Sequence, residues 1–197
     1  MNTMLWLYVN GPKWEVKTFL KYRVNGYTFS PQHYDDSIST QDSGVCMDAI
    51  TTFVASSKDL NPMDDDTTWY GVIREIMEVD YYDFQHVVFY CDWVNVADKT
   101  NGCKVCPDTN LLMVNLKKLK NTDGEYDEPA ILASEASQVF YIINTHINSD
   151  WSIVRRSPKR IMDNIYDYEV PTTYQSILKE QPNLEPLLKC IQSKSTC

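Results

Sequence analysis

WYGVIREIMEVDYYDFQHVVFYCDWV, residues 69–94, is the stretch whose reading decides the fold. Its second half alternates, with Val87, Phe89, Cys91 and Trp93 on one face and His86, Tyr90 and Asp92 on the other. A period of two marks a half-buried β-strand. The first half is less regular. Ile73, Met77 and Val79 share a face that Glu75 interrupts, while Ile73, Ile76 and Met77 would also suit a turn of helix. Asp80-Tyr-Tyr-Asp-Phe84 supplies a polar and aromatic bend, so the stretch reads as a long antiparallel hairpin.

Upstream, Leu5–Val9 reads as a short strand closed by Asn10-Gly11-Pro12. Trp14–Phe19 and Tyr22–Phe29 follow as extended segments, the second containing the turn dipeptide Asn25-Gly26. Ser30–Ser43 is a polar loop, Gly44–Val54 a strand, and Ser56–Thr68 a linker holding Pro62 and the run Asp64-Asp65-Asp66. Downstream, Asn95–Asn110 is a polar loop, Leu112, Val114 and Leu116 make a strand, and Asn121–Pro129 is an acidic turn. Ile131–Ser137 suits a single helical turn, Val139–Ile143 a buried strand, and Trp151–Arg155 the last strand. Beyond Ser157, four prolines punctuate weak helical patterns at Tyr174–Lys179 and Leu184–Ile191.

The expected fold is mainly β: a small antiparallel β-barrel, SH3-like or BAH-like, with an N-terminal strand extension and a short helical C-terminal tail. The divisions are 1–55, extended segments packing on the core; 69–156, the core barrel; and 157–197, an appendage partly helical or disordered. In that barrel Val87, Phe89, Cys91 and Trp93 share one core with Leu112, Val114, Leu116, Val139 and Phe140.

A chain of 197 residues suits one domain with extensions, and 13 Tyr with 5 Trp suit sheets and recognition surfaces. With only six Gly, the turns must lean on Asn, Asp and Pro. The net charge of -9 disfavours a phosphate backbone unless cations are segregated onto one face. One basic cluster exists, Arg155, Arg156, Lys159 and Arg160, whose ordinary reading is a solvated loop after a strand. The six cysteines have no framework spacing, and neither a secretory leader nor a membrane span is legible. Reduced thiols and an intracellular setting are expected, the nucleus ahead of the cytoplasm.

Chemistry-bearing motifs are few. Cys103-Lys-Val-Cys106 has the gap of a zinc knuckle, but a tetrahedral site needs four ligands. The nearest candidates, His86 and Cys91, fall on opposite faces of one strand, so the pair reads as two loop thiols. Asp64-Asp65-Asp66 lacks a third carboxylate on a defined strand and reads as a solvated linker. His33, His86 and His146 have no nucleophile with a fitting flank, and the glycines are too scattered for a phosphate loop. No enzyme, metal or cofactor is expected. The aromatics are more suggestive: Trp69, Tyr70, Tyr81, Tyr82 and Tyr90 would make a groove or cage for a peptide or methylated Lys if they faced outward. Facing inward, they would fill the core or prop the turn.

Several blocks in one order carry a resemblance: VNGYTF (24–29), DSGVCMDA (42–49), WYGVIREIMEVDY (69–81), FYCDWV (89–94) and EPAILASEASQVFYI (128–142), with a weaker echo in LYVNGPKWEV (7–16). Over residues 5–156 the chain resembles the plant domain of unknown function 4216, found in proteins of CACTA (En/Spm-type) transposons, usually downstream of a transposase region. No catalytic residues are established for that family, so none are carried over. Cys103 and Cys106 stand where the family tends to have apolar or acidic residues, whereas Cys91 falls on a position the family also gives to Cys. Residues 108–111 replace a more aromatic family segment, and the tail after about 160 has no counterpart there.

The resemblance implies a non-enzymatic, transposon-derived interaction module that binds protein, either the transposase region or chromatin tails. DNA binding is expected to be weak or absent. The alternatives are a DNA-contacting accessory domain of a transposase and an inactive, separated fragment of a transposon-encoded protein.

Overall fold

An 18-residue strand organises the molecule. The computed structural model describes residues 13, 16–35, 40–53, 63–120, 129–143, 150–159 and 174–176. Within them the strands are β1 (Lys17–Phe19), β2 (Tyr22–Val24), β3 (Tyr27–Phe29), β4 (Gly44–Phe53), β5 (Met63–Asp80), β6 (Gln85–Trp93), β7 (Cys103–Val105), β8 (Leu112–Val114), β9 (Ala130–Leu132), β10 (Ser137–Ile143), β11 (Ser152–Arg156) and β12 (Tyr174–Ser176). A helical turn, α1 (Gln32–Asp35), and a 3-10 turn at Ala133–Glu135 complete the elements. The protein is mainly β, and its strand pairings are antiparallel.

The hairpin read from residues 69–94 is present as β5 and β6. Its irregular first half has a specific cause. Ile73 pairs with Cys91 and Glu75 with Tyr90, leaving Arg74 as the extra residue of a β-bulge. One inserted residue inverts the alternation beyond it. Ile73 and Ile76 therefore share a face although they are an odd number apart, and Met77 and Val79 take the other. No helix turn is involved.

β5 is longer than the hairpin needs. Its first half pairs with β4 from Phe53↔Met63 to Gly44↔Val72, so Met63–Thr68 is strand and not linker. β4 and β6 lie on opposite edges of β5, and β1 joins the β4 side further along. The order then runs β12-β1-β5-β4-β10-β11-β8-β7, with β6 beside β5 and β9 beside β6. This is an open path, and the expected SH3-like or BAH-like barrel does not close. A single bridge, Val94↔Leu119, ties the end of β6 to the segment after β8.

The single core expected from sequence is instead divided between the faces of the hairpin. On one face Phe89, Cys91 and Trp93 pack with Ile73, Ile76, Val45 and Ile131 beneath the β2–β3 ribbon, which contributes Val24, Tyr27 and Phe29. Val114 and Val139 belong to another cluster with Cys46, Tyr70, Val72, Val94 and Tyr141, against which Leu112 and Leu116 pack. Met77, Val79, Tyr81, Val88 and Ala130 form a third near the bend. A strand buried on both faces cannot serve one core.

Other expectations are corrected locally. The loop Asn95–Asn110 contains β7, and the loop Ser30–Ser43 contains α1. The helical turn near Ile131 is shorter than expected and follows β9. Tyr174–Ser176, read as the start of a weak helix, is a strand on β1. The Leu5–Val9 strand, the acidic turn at 121–128 and the Leu184–Ile191 pattern lie outside the described residues.

Candidate functional site

The hairpin aromatics do not gather on one surface. Tyr81 is fully buried and stacks on Phe84 with ring centres 4.9 Å apart. At the bend Asp80 Oδ1 accepts from the Tyr82 N–H at 2.7 Å, and Tyr82 takes a left-handed backbone, φ 71°. Tyr81 continues the inward face of Met77 and Val79, and the left-handed turn after it leaves Tyr82 exposed. Lys13 Nζ binds Asp80 at 2.9 Å and lies 5.0 Å from the centre of the Tyr82 ring. Lys13, ahead of the backbone N–H of Tyr82 and the Gln85 amide, holds the Asp80 carboxyl below its ordinary range.

Tyr70 is buried against Cys46, and burial raises its phenol. Trp69 is half-buried between two clusters, with Lys120 Nζ 5.2 Å from its ring. Tyr90 is exposed, on the face of β6 away from Phe89. It lies five residues up the strand from Gln85 at the bend, roughly 17 Å along an extended backbone. Of the five, Tyr82 and Tyr90 are exposed, too far apart for one cage.

The basic cluster is likewise divided. Arg155 pairs with Phe140 and Arg156 with Val139, so the two arginines point to opposite faces of β11. Arg156 lies 3.7 Å from Asp48 of β4, and Lys159 Nζ lies 6.0 Å from the Tyr27 ring. Arg160 lies outside the described residues.

Cys103 and Cys106 are buried in separate clusters, Cys103 with Val114 and Cys106 with Met113 and Trp151. Burial raises the Cys103 thiol, whereas hydrogen bonds from Thr109 and from the Asp108 backbone lower that of Cys106. Cys91 lies deep in the hairpin core, where burial raises its thiol well above the ordinary value. Burial also pushes Cys46 up to about 11, against a smaller opposing pull from Arg156. Burial lowers His86, on the hairpin face opposite Cys91. Among the described residues no three His, Cys, Asp or Glu side chains come together to hold a metal.

Many residues in the sequence blocks of the resemblance have structural work. A side chain on Gly71 would meet Asp92 O and the Trp93 ring at 2.7 Å, and one on Gly44 would overlap the Val139 carbonyl. The Tyr141 hydroxyl donates to Gly71 O at 2.8 Å across this close approach. Pro129 O accepts from Trp93 Nε1 at 3.2 Å and from the Cys91 N–H at 2.8 Å. Buried Gln138 donates to Thr28 O, and Asp35 accepts from the Ser43 N–H at 2.8 Å, which fixes the loop before β4.

A two-stranded ribbon, Asp48–Phe53 against Met63–Thr68, which the sequence reads partly as linker, carries β4 and β5 beyond their pairings with β10 and β6. Its described side chains include exposed Asp48, Ile50, Asp65 and Asp66, with Ile50 at 75% exposure. Neither strand half carries a Lys or Arg. The signal for it was present in the β-branched residues Ile50-Thr51-Thr52 and Thr67-Thr68, hidden by Asp64–Asp66, which are the partners of the first three.

Residues 77–154 match the family described as Domain of unknown function (DUF4216), a stretch shorter than half the chain. It covers the distal part of the hairpin through most of β11. No curated protein and no solved structure matches the chain.

Proposed function

We propose that the chain is a non-enzymatic interaction domain whose partner is a basic stretch of protein. The resemblance to a transposon-associated domain supports reading that partner as a chromatin tail or the neighbouring transposase region. The observation that carries the reading is the division of charge. Asp48, Asp65 and Asp66 are exposed on a ribbon without cations, whereas Arg155 and Arg156 diverge and Arg156 approaches Asp48. Such a surface attracts a cationic polypeptide and repels a phosphate backbone.

A DNA-contacting accessory role is the second reading. Exposed Lys99, Lys117 and Lys118 on two adjoining loops favour it, since Asn95 N donates to Lys118 O and Asn115 N to Gly102 O, each at 2.9 Å. Asp150 paired with Lys117 and Asp98 close to Lys118 oppose it.

Titrating the full chain with a labelled lysine-rich peptide and with a labelled duplex, over a range of salt, separates the readings. The peptide is expected to bind more tightly. Tight duplex binding with a salt slope of several phosphates, lost on neutralising Arg155, Arg156, Lys159 and Arg160, would reverse the order. Binding of neither favours the inactive-fragment reading.

A further inference from the structure

We infer that the outer edge of β5 over residues 64–68 is a strand-addition site for an extended, Lys- or Arg-bearing polypeptide segment. The inference rests on the protein-binding reading above and gives it a location. Hydrogen-bond parity shows which peptide groups are available. The Ile73 N–H donates to Ser43 O at 2.9 Å, and residues along an antiparallel pair alternate between bonding the partner and facing away. Met63, Asp65, Thr67, Trp69 and Gly71 therefore bond β4, and Asp64, Asp66, Thr68 and Tyr70 turn their backbone outward. Tyr70 follows this rule, because its carbonyl accepts from the Val94 N–H at 2.8 Å where β6 runs out. Beyond that point, among the described residues, no strand lies against the edge.

Three features select the occupant. The run Asp64-Asp65-Asp66 lies on this strand, and Met63–Tyr70 contains no Lys or Arg. A cationic segment is therefore attracted, and a second copy would set aspartates against aspartates. Arg156 stands 3.7 Å from Asp48 on β4, which disfavours a cationic segment on the opposite edge of the ribbon. Ile50, paired with Asp66 and on its face, lies two strand spacings, roughly 9.6 Å, from an incoming strand, so only the long apolar stem of a Lys or Arg could reach across to it. In strand addition the main-chain bonds supply affinity and the side chains selectivity. The rival is that the aspartates only keep an exposed edge from pairing with anything.

The test uses the full chain and a fluorescent peptide alternating Lys with Val, read by anisotropy. Two changes probe the two contributions: Asp64→Asn with Asp65→Asn and Asp66→Asn on the protein, and N-methylation of alternate backbone nitrogens on the peptide. Each is expected to weaken binding by about tenfold or more, since one removes the charge and the other the ladder. Circular dichroism of the triple variant checks that it folds. A peptide that binds equally well N-methylated overturns strand addition. Binding unchanged by the triple variant overturns the location and leaves the protein-binding reading standing. A chain that ignores the peptide overturns the inference, and one that takes duplex DNA instead overturns the reading beneath it as well.

Discussion

At Gly44 the backbone of β4 passes so close to β10 that a methyl group would overlap the Val139 carbonyl. No side-chain movement relieves a clash with backbone. Gly44→Ala is expected to cost about 3 kcal/mol or more, as severe overpacking does, measured by urea unfolding. A variant of unchanged midpoint would mean the strands separate freely. Neighbouring Cys46 has a different sensitivity. Its thiol ordinarily ionises near 9.0 but only near 11 in the fold, so burial favours the protonated form. That contribution is whole below pH 9 and fades as pH rises towards 11, by about 1.4 kcal/mol per unit. Unfolding titrations of the parent and of Cys46→Ala should therefore diverge in slope across this window; parallel profiles would contradict it. Residue roles of this kind were partly legible. Alternation put Phe89, Cys91 and Trp93 inside, and all three are buried. Tyr81 was legible as well, because it continues the face of Met77 and Val79 at a period of two and is buried with them, a period that counting it among the outward aromatics overlooked.

At the scale of elements, the bulge at Arg74 reconciles the broken period of β5 with a continuous strand. Removing the extra residue would leave Ile73 and Ile76 in strict alternation on one face. Deleting Arg74 is therefore expected to leave the chain folded, with the loss of an ion pair to Asp92 and a hydrogen bond to Gln32. Deleting Ile76 instead inverts every side chain up to the bend and should abolish the cooperative transition. Circular dichroism with urea unfolding of both deletions checks this, and equal damage would argue against the register. The turn at Asn25-Gly26 and strands β4, β8, β10 and β11 were close to legible, since each has a β-rich or apolar run bounded by polar residues. β7 was not, because its three residues sit between polar turns. Met63–Thr68 was not, because three aspartates outweigh the threonines in any local reading and only the pairing with β4 makes them strand.

At the scale of the molecule, the net charge of -9 said that cations would matter only if gathered, and the two arginines of β11 are not. Sequence weighed aromatics on the hairpin and read the acidic run as solvated linker, whereas the site proposed above lies on that run. Strand pairing turns that run into an edge with outward peptide groups, a property invisible in composition. Hydrogen exchange of the full chain, followed amide by amide with and without the Lys-Val peptide, tests this most directly. The account predicts slowed exchange at the outward amides of Asp64, Asp66 and Thr68, with little change at the inward amides of Asp65 and Thr67 or near Arg155 and Arg156. Protection confined to residues 155–159 or 117–118, with the β5 edge unchanged, would contradict it.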